Sequence, residues 1–557
     1  MTDVVTIEYF NEVHMKVISN PGVRQELREY FSYQPEGYQF SPKFKARVWD
    51  GYIRMYNPMS PLLYVGLIGY IRKFCEARGY DLEINERAQE QVSEQEDIPD
   101  DYVQKLIEEI KSPFEARDYQ IDYVLNALRN RRSLSLSPTS SGKSFILYLI
   151  QQHYYRNRGT RTLVVVPTIS LVHQMAGDFV DYGCDPGEIF KIQGGVDKTS
   201  TLQVKLELDN DTIVHKSGND KIKLSNGKFK IAKDLKPKDI LALKAKKTAS
   251  VIKTNHKQPS IYISTWQSLV KQSKDWFSQF GLVLGDEAHN FKAQSLQTIM
   301  DKLVDCPYRF GFTGTISSDS KVHRLVLEGV FGPVKRYVST KELIDRGTVA
   351  DFKIKALVLE HSTETRQLFK EGLKKIDKKR IYHAERQFII NSDKRNNFIK
   401  NLVHSLENQN NLILFDLVEA HGKVLEPLLR KEGRILHFIH GDVSGEERER
   451  IRHEVENDPL KRHDILASSG TFSTGVNLKR IDNAIFATIG KSEIKVLQSI
   501  GRILRKGNGS DDATLYDIAD NLSYGSFENY TLRHFRKRIE IYSAEEFDFQ
   551  IYNIPMK

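Results

Sequence analysis

Short apolar runs alternate with longer stretches of helical periodicity from Phe114 onward. The runs fall into two sets, at 134–136, 162–167, 282–285 and 308–313, and then at 412–416, 435–439, 464–468 and 484–488. Buried strands that alternate with helices are typical of parallel sheets covered by helices on both faces. The pattern therefore predicts an α/β protein with two doubly wound domains.

Other segments depart from this pattern. Residues 1–84 mix strand and helix signals and predict a small α+β domain. Residues 85–101 carry seven acidic residues and one arginine, which favours a solvated linker or an exposed helix. Residues 197–258 alternate in short segments around an Asn226-Gly227 turn signal, which predicts a β-rich insertion. The chain after Tyr516 reads as an amphipathic helix.

Composition and charge narrow the class of protein. A chain of 557 residues is too long to fold around one hydrophobic core. Its three cysteines are widely spaced and indicate neither a zinc site nor a disulfide framework. No apolar run approaches the roughly 20 residues of a membrane span, and no signal peptide is visible. We therefore expect a soluble protein of the cytoplasm. Of the net charge of +9, the insertion at 197–258 alone supplies +8, so charge by itself does not indicate nucleic-acid binding.

The strongest local motif is PTSSGKS at 138–144, between an apolar run and a probable helix. Loop amides and a helix N-terminus can hold phosphates in this context. Lys143 can reach the β- and γ-phosphates, and Ser144 can bind Mg²⁺. Ser137 stands where the usual motif has its first glycine, and a serine-rich turn with a helix cap is the alternative interpretation.

Two further motifs complete the chemistry of ATP hydrolysis. Asp286 and Glu287 follow an apolar run, where one carboxylate can hold Mg²⁺ through water and the other can activate the attacking water. In a helix, Gln498, Arg502 and Arg505 would share one face, and such cations stabilise a transferring phosphoryl group. Taken alone, these motifs also fit a capped helix start and a basic surface helix.

In this order the motifs resemble those of superfamily 2 helicases. Four further segments match that family: RDYQ at 117–120 (Q motif), STWQ at 264–267 (motif Ib), TGT at 313–315 (motif III) and FSTGVN at 472–477 (motif V). The segment from Val166 to Gln174 is similar to motif Ia. Within the superfamily, the N-terminal block is also similar to that of the UvsW-like recombination and repair helicases of T-even-like phages.

The resemblance implies a fold and a set of domains. It implies two RecA-like motor domains and a small N-terminal DNA-binding domain, and it covers most of the chain except the predicted β-rich insertion at 197–258, which we place in the first motor domain. We place the N-terminal domain at 1–84, an acidic linker and helix at 85–112, the first motor domain at 113–340, and the second at 341–557 with a C-terminal helical segment.

The resemblance also implies roles for individual residues, with ATP and Mg²⁺ as cofactors. The phosphate and adenine contacts would come from Arg117, Tyr119, Gln120, Thr139, Ser140, Ser141, Gly142, Lys143, Ser144, Gly475 and Gln498. Asp286 would share the metal with Ser144, and Glu287 would act on the water. His289 would link the nucleotide site to motif III. Arg502 and Arg505 would reach across the interdomain cleft, with Arg505 as the finger.

Contacts to nucleic acid are expected in two places. Thr168, Thr265, Gln267 and Thr474 would hold the phosphodiester backbone without reading sequence. In the N-terminal block, Lys43, Lys45 and Arg47 alternate with aromatic residues, as suits phosphate neutralisation and base stacking. For Trp49 and Tyr52 we favour instead a β-hairpin whose aromatic side chains face the core.

The expected activity is that of an ATP-dependent helicase on branched DNA, in junction migration, fork regression and R-loop dissolution, with recombination or single-strand-binding proteins as possible partners. Three alternatives stay open: a motor on RNA or RNA–DNA hybrids, the motor of a nuclease complex, and a clamp without turnover. The lysine-rich insertion either contacts DNA or is a solvated addition. The sequence argues against self-splicing, because the segment has no cysteine nucleophile and no Asn-nucleophile junction.

Overall fold

A computed structural model describes most of the chain. The described residues are 3–35, 37–92, 97–138, 141–192, 203–207, 213–217, 221–223, 229–231, 250–251, 259–288, 293–314, 321–349, 351–374, 376–377, 380–458, 460–475, 481–488 and 512–556. They form two compact units, each with a large parallel sheet, and the main division falls between Lys335 and Arg336.

The N-terminal block is a small sheet with helices. Its strands are β1 Val4–Tyr9, β2 His14–Ile18, β3 Ser32–Tyr33, β4 Ile53–Arg54, β5 Leu62–Tyr64 and β6 Asp81–Ile84, and its helices are α1 Pro21–Tyr30, α2 Pro42–Lys45, α3 Ile68–Arg78 and α4 Glu86–Val92. The main sheet has the order β5-β2-β1-β6, and β3 pairs with β4 separately. Alternate residues of β1 and β2 are fully buried, which follows from one sheet face packing on the core.

The rest of the first unit is built on a parallel sheet. Its strands are β7 Arg132–Leu136, β8 Thr162–Val166, β9 Ile189–Ile192, β10 Gln203–Glu207, β11 Ile213–Ser217, β12 Lys221–Lys223, β13 Phe229–Ile231, β14 Ser250–Val251, β15 Ile261–Thr265, β16 Leu282–Gly285, β17 Tyr308–Thr313 and β18 Val334–Arg336. Its helices are α5 Tyr102–Ile110, α6 Asp118–Arg129, α7 Lys143–Arg158, α8 Ile169–Asp181, α9 Trp266–Leu269, α10 Lys274–Phe277, α11 Ala293–Met300 and α12 Lys321–Phe331. The seven-stranded sheet has the order β18-β7-β17-β16-β8-β15-β9.

The strands of the insertion stand apart from this sheet. β10 pairs antiparallel with β11 and β14, and β12 pairs antiparallel with β13. The Asn226-Gly227 turn signal falls between β12 and β13 but lies outside the described residues. The expectation of a β-rich insertion between β9 and β15 is confirmed.

The second unit contains another seven-stranded parallel sheet. Its strands are β19 Asp351–Glu360, β20 Asn411–Phe415, β21 Arg434–Ile439, β22 Arg462–Ser468, β23 Asn483–Phe486, β24 Asp512–Asn521 and β25 Asp548–Pro555, in the order β21-β22-β20-β23-β24-β19-β25. Its helices are α13 Thr340–Asp345, α14 Thr363–Leu373, α15 Ile381–Ile390, α16 Asp393–Ser405, α17 Lys423–Leu429, α18 Gly445–Asn457, α19 Ser469–Gly475 and α20 Tyr530–Ala544. Two such sheets confirm the predicted doubly wound α/β class.

Buried ion pairs join helices of the second unit to β24. Arg395 of α16 lies 2.8 Å from Asp520, and Arg538 of α20 lies 2.8 Å from Asp517. All four side chains are almost wholly inaccessible to solvent. Removing one partner would strand a buried charge, so these pairs fix the helices in one place on the sheet.

Two expectations about segments need correction. The chain after Tyr516 is not one helix, because it completes β24 and, after α20, ends in the edge strand β25. The acidic stretch is not wholly solvated either, because Ala88 and Gln91 of α4 are buried and Gln91 donates to the carbonyl of Asn11. Among the described residues, no helix is long and apolar enough to cross a membrane. The three cysteines are free and buried.

The N-terminal block packs directly on the first motor sheet's helices within the same unit. The Glu12 N–H donates to the Val304 carbonyl, and the Tyr70 hydroxyl donates to Glu328 at 2.6 Å. At Gly66 the two backbones approach so closely that a Cβ would lie 2.7 Å from the Gly329 carbonyl oxygen and closer still to that of Glu328. Glycine is required here by space, and the contact fixes the N-terminal block on α12.

Replacing Gly66 with alanine tests this contact. The added methyl must push α12 away, so we expect Gly66→Ala to lower the free energy of unfolding of the first unit by about 1–3 kcal/mol. Thermal denaturation measures the loss. Gly69→Ala is the matched control, because Gly69 lies three residues away in α3 with nothing within 4 Å of its Cβ position. Equal melting temperatures for the two variants would contradict the close contact.

Candidate nucleotide and nucleic-acid sites

The phosphate-loop motif connects β7 to α7. Gly142 has φ +77°, a left-handed conformation that favours glycine, and the next residue, Lys143, begins α7. The Ser137 and Ser141 hydroxyls lie 2.6 Å apart, and Ser141 donates to the Pro138 carbonyl at 2.7 Å. Ser137, which replaces the first glycine of the usual motif, is buried. Its contact with Ser141 closes the base of the loop. Thr139 and Ser140 lie outside the described residues.

Ser144 lies in the first turn of α7, beside Lys143, and both are half-buried. The Ser144 hydroxyl is 2.8 Å from the Tyr182 hydroxyl. Burial raises the pKa of Tyr182 to about 12, so this phenol stays protonated near neutral pH. Sequence reasoning missed Tyr182, and no motif in the sequence marks it. A serine hydroxyl that hydrogen-bonds a phenol keeps a lone pair for a cation, which fits an oxygen-ligand Mg²⁺ site.

The acidic motif follows the fully buried strand β16. Asp286 is buried, and its N–H donates to the Val165 carbonyl at 2.9 Å. Its carboxylate accepts the N–H of Glu287 at 3.0 Å. Glu287 has φ +49°, which is rare for a residue with a side chain and is characteristic of strained positions in active sites. His289 lies outside the described residues.

The sheet order brings the motif loops to one edge. β7, β17, β16, β8 and β15 are neighbours in that order, and they lead into the phosphate loop, motif III, the acidic motif, motif Ia and motif Ib. Because the strands run parallel, all five loops leave from their carboxyl ends, where ligands bind in such sheets. Hydrogen bonds join neighbouring loops: the Ser137 N–H donates to the Thr313 carbonyl, and Gln267 donates to the Pro167 carbonyl.

The candidate DNA-contact residues on this edge differ in accessibility. Thr168 is the N-cap of α8, and its hydroxyl accepts the Leu171 N–H. Thr265 is buried, and its hydroxyl donates to Ser268 at 3.2 Å. Gln267 is exposed. In this structure, therefore, Gln267 presents a polar side chain to solvent, whereas the Thr265 hydroxyl serves the start of α9.

The Q-motif residues lie at the start of α6. The Gln120 Oε1 accepts the Arg117 N–H at 2.9 Å, as part of a capping box. Arg117 also donates to the Tyr119 hydroxyl at 2.8 Å. Tyr119 and Gln120 are buried. The structure brings these three residues together, and their contact with adenine stays a prediction.

The candidate site residues of the second unit are only partly described. Thr474 and Gly475 lie in α19, which follows β22. Ser469 opens this helix and donates to Asp416 at 2.7 Å, at the carboxyl end of neighbouring β20. Phe472 is buried and anchors α19. Gln498, Arg502 and Arg505 lie outside the described residues.

Residues 38–54, which we call the basic-aromatic loop, form an open groove of about 790 Å³. The groove is lined by Gln39, Phe44, Lys45, Arg47, Val48, Trp49, Asp50 and Arg54. Lys43, Lys45 and Arg47 are exposed. The loop is held from within: Trp49 Nε1 donates to the Tyr52 carbonyl at 2.8 Å, and Arg54 pairs with Asp50.

The expected hairpin with core-facing aromatics is wrong for this loop. The segment contains a 3₁₀ turn at Tyr38–Phe40 and α2, and only Ile53–Arg54 form a strand. Tyr52 is 40% exposed, and Trp49 is half-buried in the groove wall. The physical reason lies at Gly51, whose φ of +86° turns the chain and whose missing side chain leaves room for the Tyr38 ring.

The fold and the shared edge of motifs define a superfamily 2 helicase, and family models agree. A model described as "Type III restriction enzyme, res subunit" matches residues 102–318, and the "Helicase conserved C-terminal domain" matches 393–507. A third, "DNA helicase UvsW, N-terminal", matches 4–85. A DNA-bound type ISP restriction-modification enzyme, LlaBIII, has the same fold at TM-score 0.51 and 15% identity, over 80% of this chain and 32% of that one.

Whole-chain similarity narrows the class further. The chain is 32% identical to the ATP-dependent DNA helicase uvsW of Enterobacteria phage T4, over 98% of both chains. The crystal structure of T4 UvsW aligns over 100% of both chains with 28% identity and a TM-score of 0.47. The 32% identity over nearly the whole length of both chains shows that this chain belongs to the UvsW family of ATP-dependent DNA helicases, as the sequence motifs indicated.

The left-handed conformation of Glu287 yields a test of the site's strain. A side chain in this conformation costs about 1 kcal/mol, which glycine does not incur. We expect Glu287→Gly to raise the melting temperature of the nucleotide-free protein while ATP hydrolysis is lost. Glu287→Gln is the matched control, because it keeps the strain and removes the charge. Equal melting temperatures of the glycine and glutamine variants would contradict the assigned backbone conformation.

Proposed function

We propose that this helicase uses ATP and Mg²⁺ to migrate junctions, regress forks and dissolve R-loops in phage recombination, repair and replication. The observation that carries the proposal is the shared edge of the first sheet, where the nucleotide loops on β7 and β16 adjoin the DNA-contact loops on β8 and β15. The N-terminal basic-aromatic loop adds a second nucleic-acid surface in the same unit. The name of the T4 relative, a DNA helicase, supports DNA as the substrate.

Side chains and backbone amides at the carboxyl edge of the first sheet supply the groups that ATP hydrolysis needs. Lys143 at the start of α7 neutralises phosphate charge, and loop amides at the helix N-terminus hold the phosphate oxygens. The Ser144 hydroxyl and the Asp286 carboxylate supply the oxygen ligands that Mg²⁺ prefers. When bound, Mg²⁺ neutralises the charge that develops on the transferring phosphoryl group. Glu287 accepts a proton from the attacking water.

Hydrogen bonds between neighbouring strands and loops at this edge couple ATP hydrolysis to the proposed DNA contacts. The Asp286 N–H donates to the Val165 carbonyl of β8, so the acidic motif is hydrogen-bonded to the strand that leads into motif Ia. Gln267 in turn donates to the Pro167 carbonyl of motif Ia at 3.4 Å. A shift at the acidic motif on hydrolysis therefore reaches the loops proposed to hold the DNA backbone. Contacts of this kind position a strand without reading its sequence.

We assign the recognition of branched DNA to the basic-aromatic loop. Its cations neutralise phosphates, and Trp49 and Tyr52 offer ring surface to an unpaired base at a branch point. Because the block is fixed on α12 at Gly66, the loop keeps its place relative to the motif loops of the first unit. Recombination or single-strand-binding proteins are the partners expected for an enzyme on such substrates.

Variants of the hydrolytic residues test the nucleotide site. We expect Lys143→Ala to lower the ATPase rate by about 100-fold or more, because phosphate charge is left unneutralised. Junction binding without nucleotide should be unchanged. Glu287→Gln should retain ATP and DNA together, since the binding groups remain and the water is not activated. Steady-state ATPase assays and nucleotide retention on a filter measure both effects.

Lys73→Ala is the control for these variants, because Lys73 is an exposed lysine of α3 far along the chain from every motif. Robust ATPase activity in Lys143→Ala would refute the assigned phosphate site. Normal hydrolysis in Glu287→Gln would show that another group activates the water.

Removing cations from the basic-aromatic loop tests its role. We expect Lys45→Ala and Arg47→Ala each to weaken four-way-junction binding and to reduce the slope of log affinity against log salt by about 1. Fluorescence anisotropy over a salt series gives the slope. Lys73→Ala, on the same domain, should leave it unchanged. Slopes equal to wild type in both loop variants would exclude the loop from DNA contact.

A further inference from the structure

Two histidines and a glutamate meet beneath α18 in the second unit, away from the motif loops. His437 lies on the edge strand β21, His463 on its neighbour β22, and Glu454 on α18. Each offers one ligand atom, and the three atoms all lie within 4.8 Å of one another. None of these residues belongs to a helicase motif identified above, so the ATPase chemistry gives no account of them.

The ring nitrogens of the two histidines lie close enough together to bind one metal ion. His437 Nε2 lies 3.0 Å from His463 Nδ1, close to the separation of two nitrogens on one tetrahedral ion. His463 is fully buried and His437 is 7% exposed. The Glu454 side chain is half-buried and can adjust.

The charged side chains around Glu454 also permit a cation to bind there. Glu454 lies 3.1 Å from Arg450, and Arg450 also pairs with Glu447 at 2.7 Å. If Glu454 turns to an ion, Arg450 keeps Glu447 as its partner, so no cation is left unpaired. Arg450 is largely exposed, which weakens its competition for Glu454.

We propose that His437, Glu454 and His463 bind a divalent cation of the zinc class. Two imidazole nitrogens and one carboxylate oxygen are a known zinc ligand set, and a fourth position is left for water. The ion would join an edge strand, its neighbour and the helix that covers them. By joining them, it would hold β21 and α18 on the sheet of the second unit.

The test uses the full-length protein, first stripped with a chelator and then titrated with Zn²⁺ alone against a chromophoric competitor. We expect one tight site per chain and a melting temperature that rises with Zn²⁺. Glu454→Gln should weaken that site at least about tenfold and lose the thermal shift. Glu446→Gln is the matched control, since Glu446 is exposed on the same helix. Glu454→Gln changes a half-buried position, so it remains informative if a histidine variant fails to fold.

Substitution with Co²⁺ identifies the ligands. We expect the visible bands of a tetrahedral site, unchanged in Glu446→Gln and altered in His437→Asn and Glu454→Gln. A thiolate-to-cobalt band would place the ion on a cysteine and overturn the proposal. Equal Zn²⁺ affinity in wild type and Glu454→Gln, or no tight site in wild type, would also overturn it and leave the histidines as a hydrogen-bonded pair.

Discussion

The parallel order of the first sheet is the constraint on which the rest of the structure depends. Residues separated by more than a hundred positions, from Ser137 to Thr313, meet because β7, β17, β16, β8 and β15 are neighbours with their carboxyl ends at one edge. Each strand is almost wholly buried, so none can shift register without exposing apolar surface. The burial of apolar strands thus fixes the relative places of the phosphate loop, the acidic motif and the loops of motifs Ia and Ib.

On this rigid base, the site carries features that do not serve stability. Glu287 adopts a left-handed conformation, and Gly142 turns the phosphate loop into α7. Glu287 lies two residues after the end of buried β16, and Gly142 lies directly before α7, so the neighbouring structure can hold both positions. Ser137, by contrast, stabilises the site, because the hydrogen bond between its hydroxyl and that of Ser141 closes the base of the phosphate loop. A serine at this position therefore keeps the loop closed without the first glycine of the usual motif.

Much of this could be predicted from the sequence, because apolar runs such as 162–167 are buried on both faces of a sheet and show no alternation. β19 and β25 escaped prediction for a physical reason. β19 begins with the charged alternation of DFKIK, and β25 is an edge strand with mostly exposed residues, so pairing rather than its own burial defines it. The motifs similarly predicted the site residues that lie in loops. They could not predict the Ser144–Tyr182 contact or the exposure of Tyr52, which depend on how distant segments pack.

We propose that ATP hydrolysis at this edge is coupled to branched DNA. The most direct measurement is the steady-state ATPase rate of the full chain with no DNA, single strands, duplex, a fork and a four-way junction. We expect strong stimulation by DNA, greatest with the fork or the junction. A folded protein whose ATPase rate is the same with and without every DNA would contradict it.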